Sequence, residues 1–185
     1  AKSAYGSWVR SANVDNEEEN GEITQTSSDH IRDTIERAEN DPTTKAIILE
    51  IDSYGGYAVA GEEVANALKR AQKPTVALIR TSGISAAYWA ATGADAIYAS
   101  ANSDVGGIGV SISYLDNVGK NTKEGLTYNQ ISSAKFKDYG NPNKLLTEEE
   151  RQLFLRDAQI VHDNFVNAVA KNRNLSIEKV EELAD

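Results

Sequence analysis

The 185-residue sequence reads as an α/β protein built on a parallel sheet. Short, near-continuous apolar runs alternate with segments of helical periodicity, the character of parallel strands covered on both faces. Glycine-containing turns follow the apolar runs, as they do where a strand hands over to a helix. An apolar fraction of 40% over this length supports one globular core.

Residues 1–28 are polar and acidic, with the run Asp15-Asn16-Glu17-Glu18-Glu19-Asn20 and a short strand expected around Trp8 and Val9. We expect a solvated arm over 1–28 rather than a functional acidic patch, followed by a single α/β domain over 29–185. The first helix starts at Ser28 or Asp29, places Ile31, Ile35 and Ala38 on one face, and stops at Asn40-Asp41-Pro42. Residues 46–51 form a buried strand, Asp52-Ser53-Tyr54-Gly55-Gly56 a turn, and 59–71 a helix with Val64, Ala67 and Leu68 inward. A strand over 75–79, a small-residue helix over 85–92 and a strand over 96–99 continue the alternation.

Residues 105–110 are strand-like, 115–123 helical, and 126–131 a further strand. A loop over 134–144, rich in Lys, Gly, Asn and Pro, precedes the strongest helical signal. There Thr147-Glu148-Glu149-Glu150 fits a capping box, and Leu153, Leu155, Ala158, Val161, Phe165 and Ala168 follow at helical spacing to about Asn172. A last helix, capped by Ser176, completes a C-terminal helical extension.

Composition removes several function classes. Nineteen basic against 28 acidic side chains leave a net charge of −9, which opposes affinity for nucleic acid or anionic lipid. With no cysteine, disulfides, thiolate metal sites and cysteine nucleophiles are absent, and His30 and His162 lack metal-ligand spacing. No metal and no cofactor are expected. Neither a G-x-G-x-x-G opening a helix after the first strand nor a G-x-x-x-x-G-K-[ST] occurs. No apolar run suffices to span a bilayer, and residues 1–21 lack a signal-peptide layout, so the chain as given is expected to be soluble. Methionine is missing even at position 1, from which we expect a polypeptide trimmed at both ends from a longer one that can carry an anchor.

Two turns follow buried strands, where open α/β sheets place ligands. At Gly55-Gly56, backbone N–H groups can reach a phosphate or an oxyanion unobstructed by side chains; the plainer reading is a tight turn. At Thr81-Ser82-Gly83-Ile84-Ser85-Ala86-Ala87-Tyr88-Trp89, Ser85 opens a helix among small neighbours. It suits a nucleophile, with the Ala86 and Gly56 N–H groups sharing an oxyanion; the plainer reading of these residues alone is an N-cap. Neither His30 nor His162 adjoins a turn or strand end facing Ser85, so a Ser-His-Asp triad is not expected. The remaining base is a lysine, and the loop Ala134-Lys135-Phe136-Lys137-Asp138-Tyr139-Gly140 carries two.

Taken together these residues resemble the signal peptide peptidase A family of serine proteases, whose fold is shared with Clp protease and the crotonases. The resemblance covers 27–185. It rests on Lys45-Ala46-Ile47-Ile48-Leu49-Glu50-Ile51-Asp52-Ser53 before Gly55-Gly56, on Ser85 before two small residues and Tyr88, on Gly106-x-x-Gly109-Val110, on Lys137-Asp138, and on Leu146-Thr147-Glu148-Glu149-Glu150-Arg151. It implies a Clp protease/crotonase-like fold, Ser85 as nucleophile, Lys137 rather than Lys135 as general base, and the N–H groups of Gly56 and Ala86 as oxyanion hole. Gly55, Tyr57, Gly107 and Ile108 are then expected to line the bound peptide.

Three features depart from the family pattern: Tyr54 replaces a proline, the pair Ala86-Ala87 a Gly-Gly pair, and Gly107 a serine that bonds the catalytic lysine. Either Ser103, Ser111 or Ser132 supplies that hydroxyl, or activity is reduced or lost. A lysine base must be held neutral near pH 7, which against a reference pKa of about 10.4 costs about 4.6 kcal/mol. By resemblance, burial within a homo-oligomeric ring provides it, the substrates are apolar peptides such as remnant signal peptides, and a segment outside this chain tethers the catalytic part to a membrane, outside the cytoplasm. The alternatives are a catalytically silent peptide-binding or scaffold member of the fold, or an acyl-CoA enzyme of the crotonase type.

Overall fold

The structure is a computed structural model that describes residues 8–10, 17–19, 22–24 and 26–184, the first three segments as backbone only. Most of the polar segment expected over 1–28, including much of its acidic run, lies outside the described residues. The strand expected around Trp8 is present as β1 (Trp8–Arg10), and β2 (Glu17–Glu19) pairs with β3 (Glu22–Thr24) antiparallel.

The chain divides into two units, 1–109 with 163–185, and 110–162. In the first, α1 (Ser28–Asn40) is followed by β4 (Ile47–Ser53), α2 (Ala58–Arg70), β5 (Thr75–Ile84), α3 (Ala86–Thr92), β6 (Ala96–Ala99) and β7 (Asp104–Gly106). The sheet runs β1-β4-β5-β6, with β7 also on β5 and every pairing parallel. The expected α/β alternation is therefore the observed one.

Each element has a local cause. Ser27 Oγ accepts the His30 N–H at 3.2 Å and so starts α1. On β4, Ile47, Leu49, Ile51 and Ser53 are buried while the residues between them are half-covered, so one face meets the core. That core joins Ile31, Ile35 and Ala38 of α1, Val64 and Leu68 of α2, Ile79 of β5 and Ala91 of α3. A second cluster lies on the other side of α2 and α3. Ala65, Trp89 and Ile108 there pack on Phe165, Val166, Val169 and Ala170 of α5 (Glu148–Arg173) and Val180 of α6 (Ile177–Ala184). Trp89 and Phe165 stack nearly parallel, ring centres 4.7 Å apart. Helix α2 approaches α3 so closely that a methyl group at Gly61 would come within 2.5 Å of the Ala86 carbonyl oxygen.

The second unit holds α4 (Val118–Lys123), the loop over 124–147 and the first part of α5. The capping box is as expected: Thr147 N donates to Glu150 Oε2 at 3.0 Å and Glu150 N to Thr147 Oγ1 at 3.2 Å. Residues 126–131 are not a strand. Their β-forming side chains have no neighbouring strand to pair with among the described residues, and Ile131 is 98% exposed; β-propensity without a partner makes no ladder. The strand-like character expected over 105–110 ends with β7, and the expected helix at 115–123 shortens to α4.

Candidate functional site

Strands β4 and β5 end side by side, and the site grows from their last residues. Asp52 Oδ1 accepts the Ser82 N–H at 3.0 Å, tying the two strand ends together. Ser53 Oγ then accepts the Gly55 N–H at 3.1 Å and shapes the turn that follows. No hydrogen bond engages the Gly56 N–H among the described residues. Asp52 and Ser53 fall in the turn read from the sequence, which does not anticipate their hydrogen bonds to Ser82 and Gly55.

The two predicted turns touch. Gly55 has φ +114°, and a methyl group there would lie 2.8 Å from Ser85 Cβ, 3.0 Å from the Ile84 carbonyl oxygen and 3.2 Å from Ala86 N. Only glycine allows both that backbone angle and that approach. On the other side, Ser85 N donates to the Gly106 carbonyl at 2.8 Å, and a methyl group at Gly107 would fall 2.6 Å from the Ile84 side chain. Ser85 is thus held between the Gly55-Gly56 turn and the end of β7.

Ser85 adopts φ +54° and ψ −126°, outside the regions open to residues with a β-carbon without strain. It occupies the N-cap position of α3, yet its hydroxyl makes no capping bond. Ser85 thus stands at the N-cap position, but its side chain is not used to start the helix. Ala86, the first residue of α3, has no acceptor for its N–H within the helix. A serine on a strained strand-to-helix turn, beside unengaged backbone donors, has the layout of an acyl-transfer site.

The remaining expected residues are placed as follows. Tyr57 precedes α2 and is 87% exposed. Ile108 is buried in the cluster of Trp89 and Phe165, so its side chain belongs to that core. A largely apolar cavity lies beside Ala86, lined also by Ala87 and Ala90 of α3, Gly61 of α2, and Leu49 and Ile51 of β4 among others.

Lys137 belongs to the second unit, in an exposed turn where its N–H donates to the Ala134 carbonyl at 3.2 Å. Its amine makes no ion pair or hydrogen bond among the described residues, whereas Lys135 Nζ pairs with Glu149 at 2.7 Å. Asp138 accepts a 2.6 Å bond from the Tyr128 hydroxyl and a 3.0 Å bond from Asn141, and these donors hold its carboxyl below the usual range. Of the alternative hydroxyls, Ser103 donates to the Arg80 carbonyl and Ser132 accepts from Gln130. Among the described residues no group of acidic or histidine side chains could hold a metal ion.

Residues 67–185 match the profile of peptidase family S49. The chain belongs to peptidase family S49. This S49 chain is 32% identical over 154 residues to an Enterococcus faecium protein provisionally named signal peptide peptidase SppA, covering 82% of the chain and 45% of that relative. It is also 32% identical over 143 residues to the chloroplastic serine protease SPPA of Arabidopsis thaliana, covering 76% of the chain and 21% of that protein. The expected kinship with signal peptide peptidase A proteins is thus borne out. A ClpP1 point mutant from Listeria monocytogenes aligns over 96% of this chain and 78% of its own, with a TM-score of 0.53 and 11% identity, which establishes the Clp-type fold. The S49 chain spans about half the length of several of its curated relatives. Among the described residues, no helix is long and apolar enough to cross a membrane.

Proposed function

We propose that this chain carries the catalytic centre of a serine endopeptidase that works through a Ser-Lys dyad. Ser85 attacks the scissile carbonyl, Lys137 takes the hydroxyl proton and returns it to the leaving amine, and the N–H groups of Gly56 and Ala86 stabilise the tetrahedral oxyanion. Water then hydrolyses the acyl-enzyme, with the same lysine as base. The observation that carries this reading is Ser85 itself, strained at φ +54° between the Gly55 turn and Gly106, with its hydroxyl free of any capping role.

Membership of a family of serine peptidases supports the reaction class. The unpaired amine of Lys137, beside a Lys135 committed to Glu149, supports the choice of base. The small cavity beside Ala86, about 30 Å³, is lined mainly by apolar residues, which is in keeping with a small apolar side chain next to the cleaved bond. Gly55, Tyr57, Gly107 and the Ile108 backbone then line the peptide. We further propose that the working enzyme is a homo-oligomer, tethered to a membrane with its catalytic part outside the cytoplasm, and that assembly desolvates the lysine.

The test is acylation by an activated-serine reagent together with hydrolysis of an internally quenched apolar peptide. Ser85→Ala is expected to remove both signals, and Lys137→Ala to slow both at least 10³-fold, each without loss of the folded state. Full hydrolysis by either variant rejects the mechanism. A folded wild-type protein that takes up no label at Ser85 favours the silent, peptide-binding alternative, to which Gly107 in place of the family's serine gives some support.

A further inference from the structure

The loop that carries Lys137 is fastened on both sides of that residue while the Lys137 amine is untied. Before it, Lys135 pairs with Glu149 and lies over the Phe136 ring at 5.0 Å. After it, Tyr139 packs on Phe154 with ring centres 4.9 Å apart, and a methyl group at Gly140 would come within 2.5 Å of the same ring. Between them, Asp138 is gripped at both carboxylate oxygens. Tyr128 Oη donates to Oδ2 at 2.6 Å, Asn141 Nδ2 donates to Oδ1 at 3.0 Å, and Asn141 also donates to Tyr128 Oη at 3.0 Å. The triangle is anchored further: Asn141 Oδ1 accepts the Asn143 N–H at 2.9 Å, and Asn143 Oδ1 accepts from Asn121 of α4 at 3.0 Å.

The charge arrangement gives this grip a chemical meaning. A carboxylate that approaches a lysine amine holds it protonated and unfit as a base, and Asp138 is the carboxylate nearest to Lys137 along the chain. Here the carboxylate is occupied by two neutral donors and makes no ion pair with Lys137. The other cations nearby are committed too, Lys144 to Glu150 at 2.6 Å and Lys135 to Glu149.

We propose that Asp138, held by Tyr128 and Asn141, is a positioning residue that fixes the turn presenting Lys137 while keeping its own charge off the lysine amine. The proposal rests on Lys137 being the general base. It assigns Tyr128 and Asn141 a role in activity although neither need touch a substrate.

The experiment uses the full-length protein and an internally quenched peptide with an apolar core, reading kcat, KM and the pH profile beside the thermal midpoint. Asp138→Ala removes the anchor and is expected to lower kcat at least 10-fold with KM within about 2-fold. Asp138→Asn keeps an acceptor for Tyr128 and recovers most of that loss. Tyr128→Phe releases the carboxylate toward Lys137, so the acidic limb of the pH profile moves to higher pH; in Asp138→Asn that limb does not rise. Wild-type kcat in a folded Asp138→Ala, or no rescue by Asp138→Asn, overturns the proposal. Should Asp138→Ala fail to fold, an unmoved acidic limb in Tyr128→Phe overturns it instead. Activity in Lys137→Ala is a separate result, because it removes the base assignment on which the proposal stands.

Discussion

Ser85 holds a left-handed backbone angle at the point where β5 becomes α3, a cost on the order of 1–2 kcal/mol for a residue with a β-carbon. The surrounding contacts enforce it: Gly106 receives the Ser85 N–H, and Gly55 leaves no space on the other side. Ser85→Gly should therefore leave stability unchanged or raise it by up to about 1 kcal/mol, since relief of strain offsets the usual glycine penalty. Denaturant titration checks this, and a loss beyond 1 kcal/mol would contradict the strain argument. Gly55→Ala acts in the opposite sense. Its new methyl group meets the Ser85 side chain at 2.8 Å in a backbone region unfavourable to alanine, so a destabilisation of about 2 kcal/mol and at least a 10²-fold loss of peptide hydrolysis are expected.

At the N-terminus of α5, Glu150 serves the capping box and the helix's nearest cation at once. Its carboxyl is held below the usual range first by the Lys144 amine and then by the Thr147 N–H. Because the folded value lies below the unfolded one, this stabilisation is present above about pH 4.3 and is lost as the pH falls through the folded value. Glu150→Gln is expected to cost about 2 kcal/mol at pH 7, with the difference from wild type closing toward pH 3; a gap that persists in acid would refute the linkage. This element was legible from its residues because its determinants are local: Thr147 and Glu150 are three positions apart. The alternation of strands and helices was legible for the same reason, through periodicity. The supposed strand over 126–131 misled because pairing depends on a neighbour that local β-propensity does not reveal. The site lay between these extremes. Ser85, Gly55 and Gly56 could be singled out as turn residues, but the backbone angle of Ser85 depends on Gly55 and Gly106, distant in sequence and adjacent in space.

At the level of the whole molecule, residues 163–185 return to the unit that contains the sheet. Phe165 is 2% exposed and stacked on Trp89, and Arg173 donates to the Ala94 carbonyl at 2.9 Å, so the end of α5 covers the outer side of α3. Phe165→Ala should cost about 3–5 kcal/mol, measured by chemical denaturation, because it opens a cavity among Trp89, Val169 and Ile108. A value under 1 kcal/mol would mean that α5 is not part of this core. The same stack has an optical use. The chain has only two tryptophans, and the backbone N–H of Trp89 bonds the Ser85 carbonyl at 2.9 Å, so one indole sits a single helical turn from the proposed nucleophile. Its emission is therefore expected to change when an activated-serine reagent acylates Ser85, which a fluorescence titration checks.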